Sequence, residues 1–299
     1  MTCRPAYDDR TLTDAPYAML RRIAPAKINL GLHVLRKRDD GYHDIETVFV
    51  RIPWFDVLRA RPADDLQLEC SEPRLPTGEE NLVVRAARCL DASLGAHVEL
   101  EKRLPVGAGL GGGSSDAAAA LLLFNDLWEL GRSREDLVQL AAAVGSDVPF
   151  FVAGSAAATG TGRGDELEPL IDPRTGEVYA LPYWLVVAVP PVRVSTADAY
   201  RSVRPEARNR PDLRDVVLSS DLRRWREELT NDFEAPLLAS DPVIAETKTA
   251  FERAGAGYAS VSGSGSAVFG VFDEAANAEA AAAALRQAGH RTWHGTVTS

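Results

Sequence analysis

Residues 105–116 read Pro105-Val106-Gly107-Ala108-Gly109-Leu110-Gly111-Gly112-Gly113-Ser114-Ser115-Asp116. Five glycines fall within the seven positions Gly107 to Gly113, and two hydroxyls follow at once. Ahead of them, His97 to Glu101 alternate polar and apolar residues as a strand does. Behind them, the apolar run Ala117 to Phe124 has the composition of a buried helix. The order is therefore strand, glycine loop, helix. Glycines lack Cβ, so several backbone N–H groups can turn toward one ligand. A helix start adds unpaired N–H groups and partial positive charge. Together these make a cradle for phosphate. The plainer alternative is a mobile linker or tight turn, and the density and position of the glycines argue against it.

Two better-known glycine loops compete. A Walker loop needs Gly-Lys-Ser/Thr, and no lysine stands here. Gly107, Gly109 and Gly112 satisfy G-x-G-x-x-G. A dinucleotide fold also wants an acid ending a second strand about twenty residues on. That position falls in Leu127 to Leu130, still inside the helical pattern, so this reading is a runner-up.

Outward from the loop, Ile23 to Leu35 alternate as a strand. Lys27, Asn29, Gly31 and His33 fall on one face. This is either a half-exposed strand with its polar face in water or a strand lining a site, and the pattern alone leaves both open. Asp40-Gly41-Tyr42-His43 is a turn ending in two rings. They either cap a hairpin or form a patch for a flat ring, since histidine both donates and accepts. Thr47 to Val50 and Phe55 to Leu58 read as strands, and Asn81 to Leu90 as a helix. Ser133 and Asp136 have capping-box spacing ahead of a helix that Gly145 stops. Asp147 precedes Val148-Pro149-Phe150. Spacing favours a helix N-cap; the sharper alternative is a general base.

Further on, Asp172 to Gly176 reads as a hairpin turn, and Tyr183 to Val189 as a buried strand. Residues 203–226 are dense in arginine and acid and read as a solvated loop with a surface helix. Asn231 to Glu234 lead into helical segments that end at Gly255. Ala156 to Gly164 read as a strand end opening into a second glycine-rich loop, and Ser262-Gly263-Ser264-Gly265-Ser266 is a third small-residue loop between strand-like halves, a hairpin turn or a second anion contact. Glu274 to Ala288 is an alanine-rich helix.

The chain has 299 residues, of which 45% are hydrophobic, enough for a sizeable core in one large or two ordinary domains. Its net charge of −10, with no basic stripe, disfavours nucleic acid. Cys3, Cys70 and Cys89 have no zinc or redox spacing and suit a reducing cytoplasm. No run is long enough for a membrane span, and the polar start is unlike a signal peptide. We expect a cytoplasmic protein whose residues 1–20 form a flexible extension.

Pro25-Ala26-Lys27-Ile28-Asn29-Leu30, Asp40-Gly41-Tyr42-His43, the stretch from Pro105 to Ser115, Asp147-Val148-Pro149-Phe150 and Ser262-Gly263-Ser264-Gly265 occur in the order and spacing of the GHMP kinases. The resemblance spans about residues 22 to 272, and no single motif would carry it. It implies an α+β, two-domain GHMP kinase fold. Residues 21–170 would form a domain like the second domain of ribosomal protein S5, and residues 171–299 a ferredoxin-like domain. It implies ATP as co-substrate, with Mg2+ accompanying the nucleotide and no dedicated metal-ligand cluster. The Asp-Gly-Tyr-His turn and the triple glycine with Ser-Ser resemble one branch, which phosphorylates the 2-hydroxyl of a CDP-linked methylerythritol.

By that resemblance, Lys27 and Asp147 form the catalytic pair, with Asp147 taking the proton and Lys27 steadying charge. Pro105, Val106, Gly107, Ala108, Gly109, Leu110, Gly111, Gly112, Gly113, Ser114 and Ser115 wrap the phosphates, and Ser115 reaches toward magnesium. Asn29 touches the substrate near its reacting end. His43 reads the cytosine edge, and Tyr42 and Tyr200 sandwich the ring. The partner is a small CDP-linked molecule, with no nucleic acid or membrane, and the chain is a monomer or weak homodimer. The alternatives are a homoserine or mevalonate type of GHMP kinase, or a nucleotide-binding regulator without catalysis. An intact Lys27 and Asp147 argue against the regulator.

Overall fold

The computed structural model describes residues 19–297, so the greater part of the expected extension at residues 1–20 lies outside the described residues. The chain packs as two units. The first comprises residues 19–26, 54–104 and 112–154; the second comprises 27–53, 105–111 and 155–297.

Two long strands thread through both units: β1 (Leu20–Lys37) and β2 (His43–Pro62). The sequence suggests separate short strands for the second, because Arg51, Pro53 and Asp56 break its alternation. The backbone nevertheless runs on as one strand, paired with different neighbours along its length. In the first unit, Val57 to Pro62 pair antiparallel with β4 (Ala96–Glu101). That strand pairs parallel with β3 (Gln67–Cys70).

Four helices complete the first unit: α1 (Leu82–Leu90), α2 (Gly112–Leu127), α3 (Arg134–Val144) and α4 (Val148–Ala153). Helix α2 begins inside the glycine run, several residues earlier than its apolar stretch suggests. Ser115 to Leu121 are buried without a break, so this helix is enclosed on every side over two turns. Alanines at 117–120 allow α1 and α4 to approach it closely. Asn81 caps α1 by accepting from the Val83 amide at 2.9 Å. Ser133 and Asp136 form the reciprocal capping box expected for α3, and Gly145 stops that helix.

In the second unit, Thr47 to Val50 of β2 pair antiparallel with β5 (Ala157–Thr161), which pairs with β6 (Glu166–Pro169). The remaining sheet contains β7 (Trp184–Val189), β8 (Tyr258–Val261), β9 (Val268–Phe272) and β10 (Arg291–Thr296). Its order is β10-β7-β9-β8, and every pair is antiparallel. Helices α9 (Pro242–Arg253) and α10 (Ala275–Gln287) pack against it. This β-α-β-β-α-β order is the ferredoxin-like pattern.

Residues 203–212 form the solvated loop expected, whereas residues 213–226 depart from the surface-helix reading. They form α6 (Leu213–Ser219) and α7 (Leu222–Glu228), following α5 (Thr196–Ser202). Leu213, Val216, Val217 and Trp225 are fully buried, and the Trp225 indole donates to the Val216 carbonyl at 2.8 Å. Burial of each such side chain contributes about 1.5–3 kcal/mol, which outweighs the polar density around it. Helix α8 (Glu234–Ser240) follows the loop at 229–233, and that loop binds β1. The Leu32 amide donates to the Thr230 carbonyl at 2.9 Å, and the Asp232 amide donates to Leu32 at 2.9 Å. Gly31 has φ +78°, and a Cβ there would lie 2.7 Å from a Leu213 methyl. The strand needs glycine at that point.

Candidate active site

The polar face of β1 is not in water. Lys27, Asn29 and His33 are all buried, which removes the half-exposed alternative. The Lys27 ammonium donates to Asn29 Oδ1 at 2.6 Å and stands 5.4 Å from the centroid of the Phe49 ring. Asn29 Nδ2 donates to Thr47 Oγ1 at 2.8 Å, and Thr47 donates to the Gly31 carbonyl at 2.7 Å. This relay fixes which way the Asn29 amide faces, so its oxygen is held toward the lysine. Buried polar groups need such partners, since an unmade hydrogen bond here costs about 1–3 kcal/mol.

The first part of the glycine loop lies against this strand. The Lys27 amide donates to the Leu110 carbonyl at 3.0 Å. Gly107, Gly109 and Gly111 have φ of 69°, 77° and 68°, whereas Ala108 and Leu110 are not left-handed. Alternation of this kind is the backbone pattern of a nest, in which successive N–H groups can face one concavity. The third small-residue loop holds the nest from the other side. Ser262 donates to the Gly109 carbonyl at 3.0 Å, and the Ala267 amide donates to Ala108 at 3.0 Å. A Cβ on Gly109 would lie 2.1 Å from the Ser262 carbonyl oxygen, so any side chain there would break the seam. A Cβ on Gly263 would lie 3.1 Å from Asn29 Oδ1 and 3.4 Å from Lys27 Nζ. Asn231 secures that loop by donating to the Val261 and Gly263 carbonyls at 2.8 and 2.9 Å. The loop is thus a hairpin turn and a structural wall of the nest at once.

In the first unit, α2 starts at Gly112 directly after the nest in the chain. Ser115 Oγ and Asp116 Oδ1 are buried and have no hydrogen-bond partner among the described residues. Lys102 donates to Asp116 Oδ2 at 2.6 Å and also pairs with Asp56. Asp56 in turn accepts from the Leu104 amide at 2.7 Å. Burial pushes the Asp116 carboxyl up to about 7, against the pull of Lys102 and with a push from Asp56. One ammonium therefore ties two carboxylates under the first turn of α2.

Asp147 occupies the N-cap position of α4, with proline in the first turn, but its carboxylate makes no capping hydrogen bond. The structural role that spacing favours is not the one its side chain performs. In the second unit, three rings gather. His43 stacks on Tyr200 at 4.8 Å and 20° between planes, and Tyr200 meets Phe233 edge-on at 4.8 Å. Burial, with a smaller contribution from the Lys37 charge, lowers the His43 pKa from its ordinary 6.5. Tyr42 is 54% exposed and carries the Arg163 guanidinium 5.1 Å from its ring centroid. The two tyrosines have different ring partners.

Within the second unit, Lys27, Asn29, the nest from Pro105 to Gly111 and the Ser262 loop come together, as do His43 and Tyr200. Gly112 to Ser115 and Asp147 belong to the first. Sequence reasoning misses Thr47, Asn231 and the Lys102 cluster. Their signal is tertiary, because strand register and loop docking decide which atoms meet. No group of three or more potential metal-ligating side chains occurs among the described residues. No helix among them is long and apolar enough to cross a membrane.

Comparisons with known proteins bear on the family and the fold. Residues 81–155 match the family model of the GHMP kinases N terminal domain, and residues 212–291 that of the GHMP kinases C terminal domain. The chain is 51% identical over 277 residues to the 4-diphosphocytidyl-2-C-methyl-D-erythritol kinase of Salinibacter ruber, covering 91% of this chain and 97% of that one. It is 43% identical over 275 residues to the enzyme of the same name from Chlorobium limicola, covering 89% and 93%. A crystal structure of 4-(cytidine 5'-diphospho)-2C-methyl-D-erythritol kinase superposes with a TM-score of 0.75 at 38% identity, covering 93% of this chain and 99% of that one. A homoserine kinase from Cytophaga hutchinsonii shares the fold at 19% identity and a TM-score of 0.68, covering 96% and 97%. The chain therefore belongs to the family of the 4-diphosphocytidyl-2-C-methyl-D-erythritol kinases, within the GHMP kinases.

Proposed function

We propose that this chain transfers the γ-phosphoryl group of ATP to the 2-hydroxyl of 4-diphosphocytidyl-2-C-methyl-D-erythritol, in the non-mevalonate route to isoprenoid precursors. The observation that carries the reading is the buried Lys27, oriented by Asn29 and Thr47, on the strand whose backbone holds the Leu110 end of the anion nest. The relatives' names supply the acceptor.

In this reading the triphosphate lies on the amides of 106–111, with the start of α2 next in the chain. Asp147 accepts the proton of the acceptor hydroxyl. The new bond forms between that oxygen and the γ-phosphorus as the bond from phosphorus to the β–γ bridging oxygen breaks, and ADP leaves. Lys27 stabilises charge on the moving phosphoryl group. Such transfer depends chiefly on positioning and electrostatic stabilisation. Magnesium suits oxygen donors and keeps waters and phosphates as ligands. The Ser115 hydroxyl, buried and without a hydrogen-bond partner among the described residues, fits that chemistry and would hold it. The ion neutralises charge on the β- and γ-phosphates when bound.

A coupled ADP-release assay across candidate alcohols tests the function. The CDP-linked methylerythritol should support turnover, and homoserine and mevalonate should not. Faster turnover with another alcohol would favour a sibling kinase. ATP hydrolysis without acceptor phosphorylation would favour a regulator.

His43 gives a second expected result. Its lowered pKa keeps the imidazole neutral at pH 7, with one donor and one acceptor for a cytosine edge. Protonation converts the acceptor to a donor. KM for the cytidine substrate should be flat from pH 8 to 7 and rise about tenfold as pH falls through the His43 pKa, below 6.5. KM for ATP should not follow. His43→Ala should weaken the cytidine substrate alone and abolish that step. Equal loss for both ligands would contradict the role.

A further inference from the structure

Arg163 stands in the turn between β5 and β6, flanked by Gly162 (φ 62°) and Gly164 (φ 91°). Asp165 holds it at both ends. The Arg163 amide donates to Asp165 Oδ1 at 3.0 Å, and Nε donates to Oδ2 at 3.0 Å, with Nη2 on the same oxygen. The turn is anchored to β2, because the Ile45 amide donates to the Gly162 carbonyl at 2.8 Å. A Cβ on Gly164 would lie 3.2 Å from the end of Ile45, so the two segments are in close contact. The result is a guanidinium fixed by one carboxylate oxygen, with the other oxygen on its own backbone amide, and set 5.1 Å from the centroid of the Tyr42 ring.

Tyr42 needs such support. Its backbone is well fixed: its carbonyl accepts from the Arg38 amide at 2.8 Å, and its own amide donates to Asp40 Oδ1 at 3.0 Å. Its ring, by contrast, is the most solvent-exposed of the large hydrophobic side chains described. An exposed ring that must stack on a ligand loses rotamer freedom on binding, which weakens affinity. A cation on one face orders the ring beforehand and leaves the opposite face for a second flat group. Arginine suits this better than lysine because its planar fork binds a carboxylate and stacks on a ring together.

We propose that Arg163 is a specificity-determining positioning residue, holding the Tyr42 ring in the orientation that stacks on the cytosine of the substrate. The inference rests on the reading that Tyr42 contacts the base. Arg163 acts through Tyr42 and has no part in the phosphoryl transfer.

Steady-state kinetics of the full chain test it, using five proteins: wild type, Arg163→Ala, Arg163→Gln, Tyr42→Leu and the double variant of Arg163→Ala with Tyr42→Leu. A cation over an exposed ring corresponds to roughly a two- to fivefold effect. Arg163→Ala should raise KM for the CDP-linked methylerythritol by about that factor, with kcat and KM for ATP unchanged. Arg163→Gln, which keeps a hydrogen bond to Asp165 without the charge, should do the same. In the Tyr42→Leu background, Arg163→Ala should have no further effect. Equal effects in both backgrounds would place Arg163 outside the base contact and overturn the proposal. A lower KM in Arg163→Ala would overturn it differently, by showing that the guanidinium occupies the face the base needs. An unchanged KM in Tyr42→Leu alone would remove the stacking reading itself, and the proposal with it.

Discussion

Asp147→Asn is expected to lower kcat by roughly two to four orders of magnitude, the usual range for loss of a general base. ATP affinity should stay close to that of the wild type. Asparagine matches aspartate in shape and is an equally good N-cap residue, so α4 keeps its start. The aspartate makes no capping hydrogen bond that the change would remove. Val148 to Val152 behind it remain buried in the first unit. The amide carries no charge and cannot accept the hydroxyl proton at neutral pH. Single-turnover phosphorylation together with equilibrium ATP binding separates the two effects. Near-normal turnover would rule Asp147 out as the base, and parallel loss of ATP binding would make it a binding residue.

Lys27→Met should cost about a hundred- to a thousandfold in kcat, the range for losing one preorganised donor to developing charge. Methionine has nearly the length of lysine and suits the Phe49 ring, so packing on β1 changes little. Asn29 Oδ1 loses its charged donor, while its amide nitrogen stays on Thr47. Some loss of stability is therefore expected and is measured by thermal unfolding. A folded variant with wild-type kcat and a raised KM for ATP would show that Lys27 only binds nucleotide.

Much of this arrangement is legible in the chain because glycine and alternation are local signals. The density of Gly107 to Gly113 marks a loop with left-handed glycines, and the alternation of residues 23–35 puts Lys27 and Asn29 on one face. The sequence does not say what covers that face. Burial of both sides of β1 depends on Leu110, Ser262 and the 230–232 loop, all distant in sequence. Thr47 stays hidden for the same reason, since only strand pairing makes it the link between Asn29 and Gly31. Around Trp225 the failure has a different cause. Leu213, Val216, Val217, Leu222 and Trp225 do carry helical spacing, but the arginines between them dominate a reading by composition. Strand β10 gives almost no signal, because Arg291 to Thr296 are largely polar and are held by the edge of β7. At Asp147 the spacing correctly marks a helix start, yet a side chain at an N-cap position need not cap.

The central claim is that one ammonium and one carboxylate meet at the reacting end of an ATP lying on the amides after Pro105. A crystal structure with an unreactive ATP analogue and the cytidine substrate tests it most directly. We expect the β- and γ-phosphates against the amides of Gly107 to Gly111, the Lys27 ammonium on the γ-phosphate and the Asp147 carboxylate within hydrogen-bond distance of the 2-hydroxyl. Phosphates bound away from that loop, or either side chain beyond reach of the reacting atoms, would contradict it.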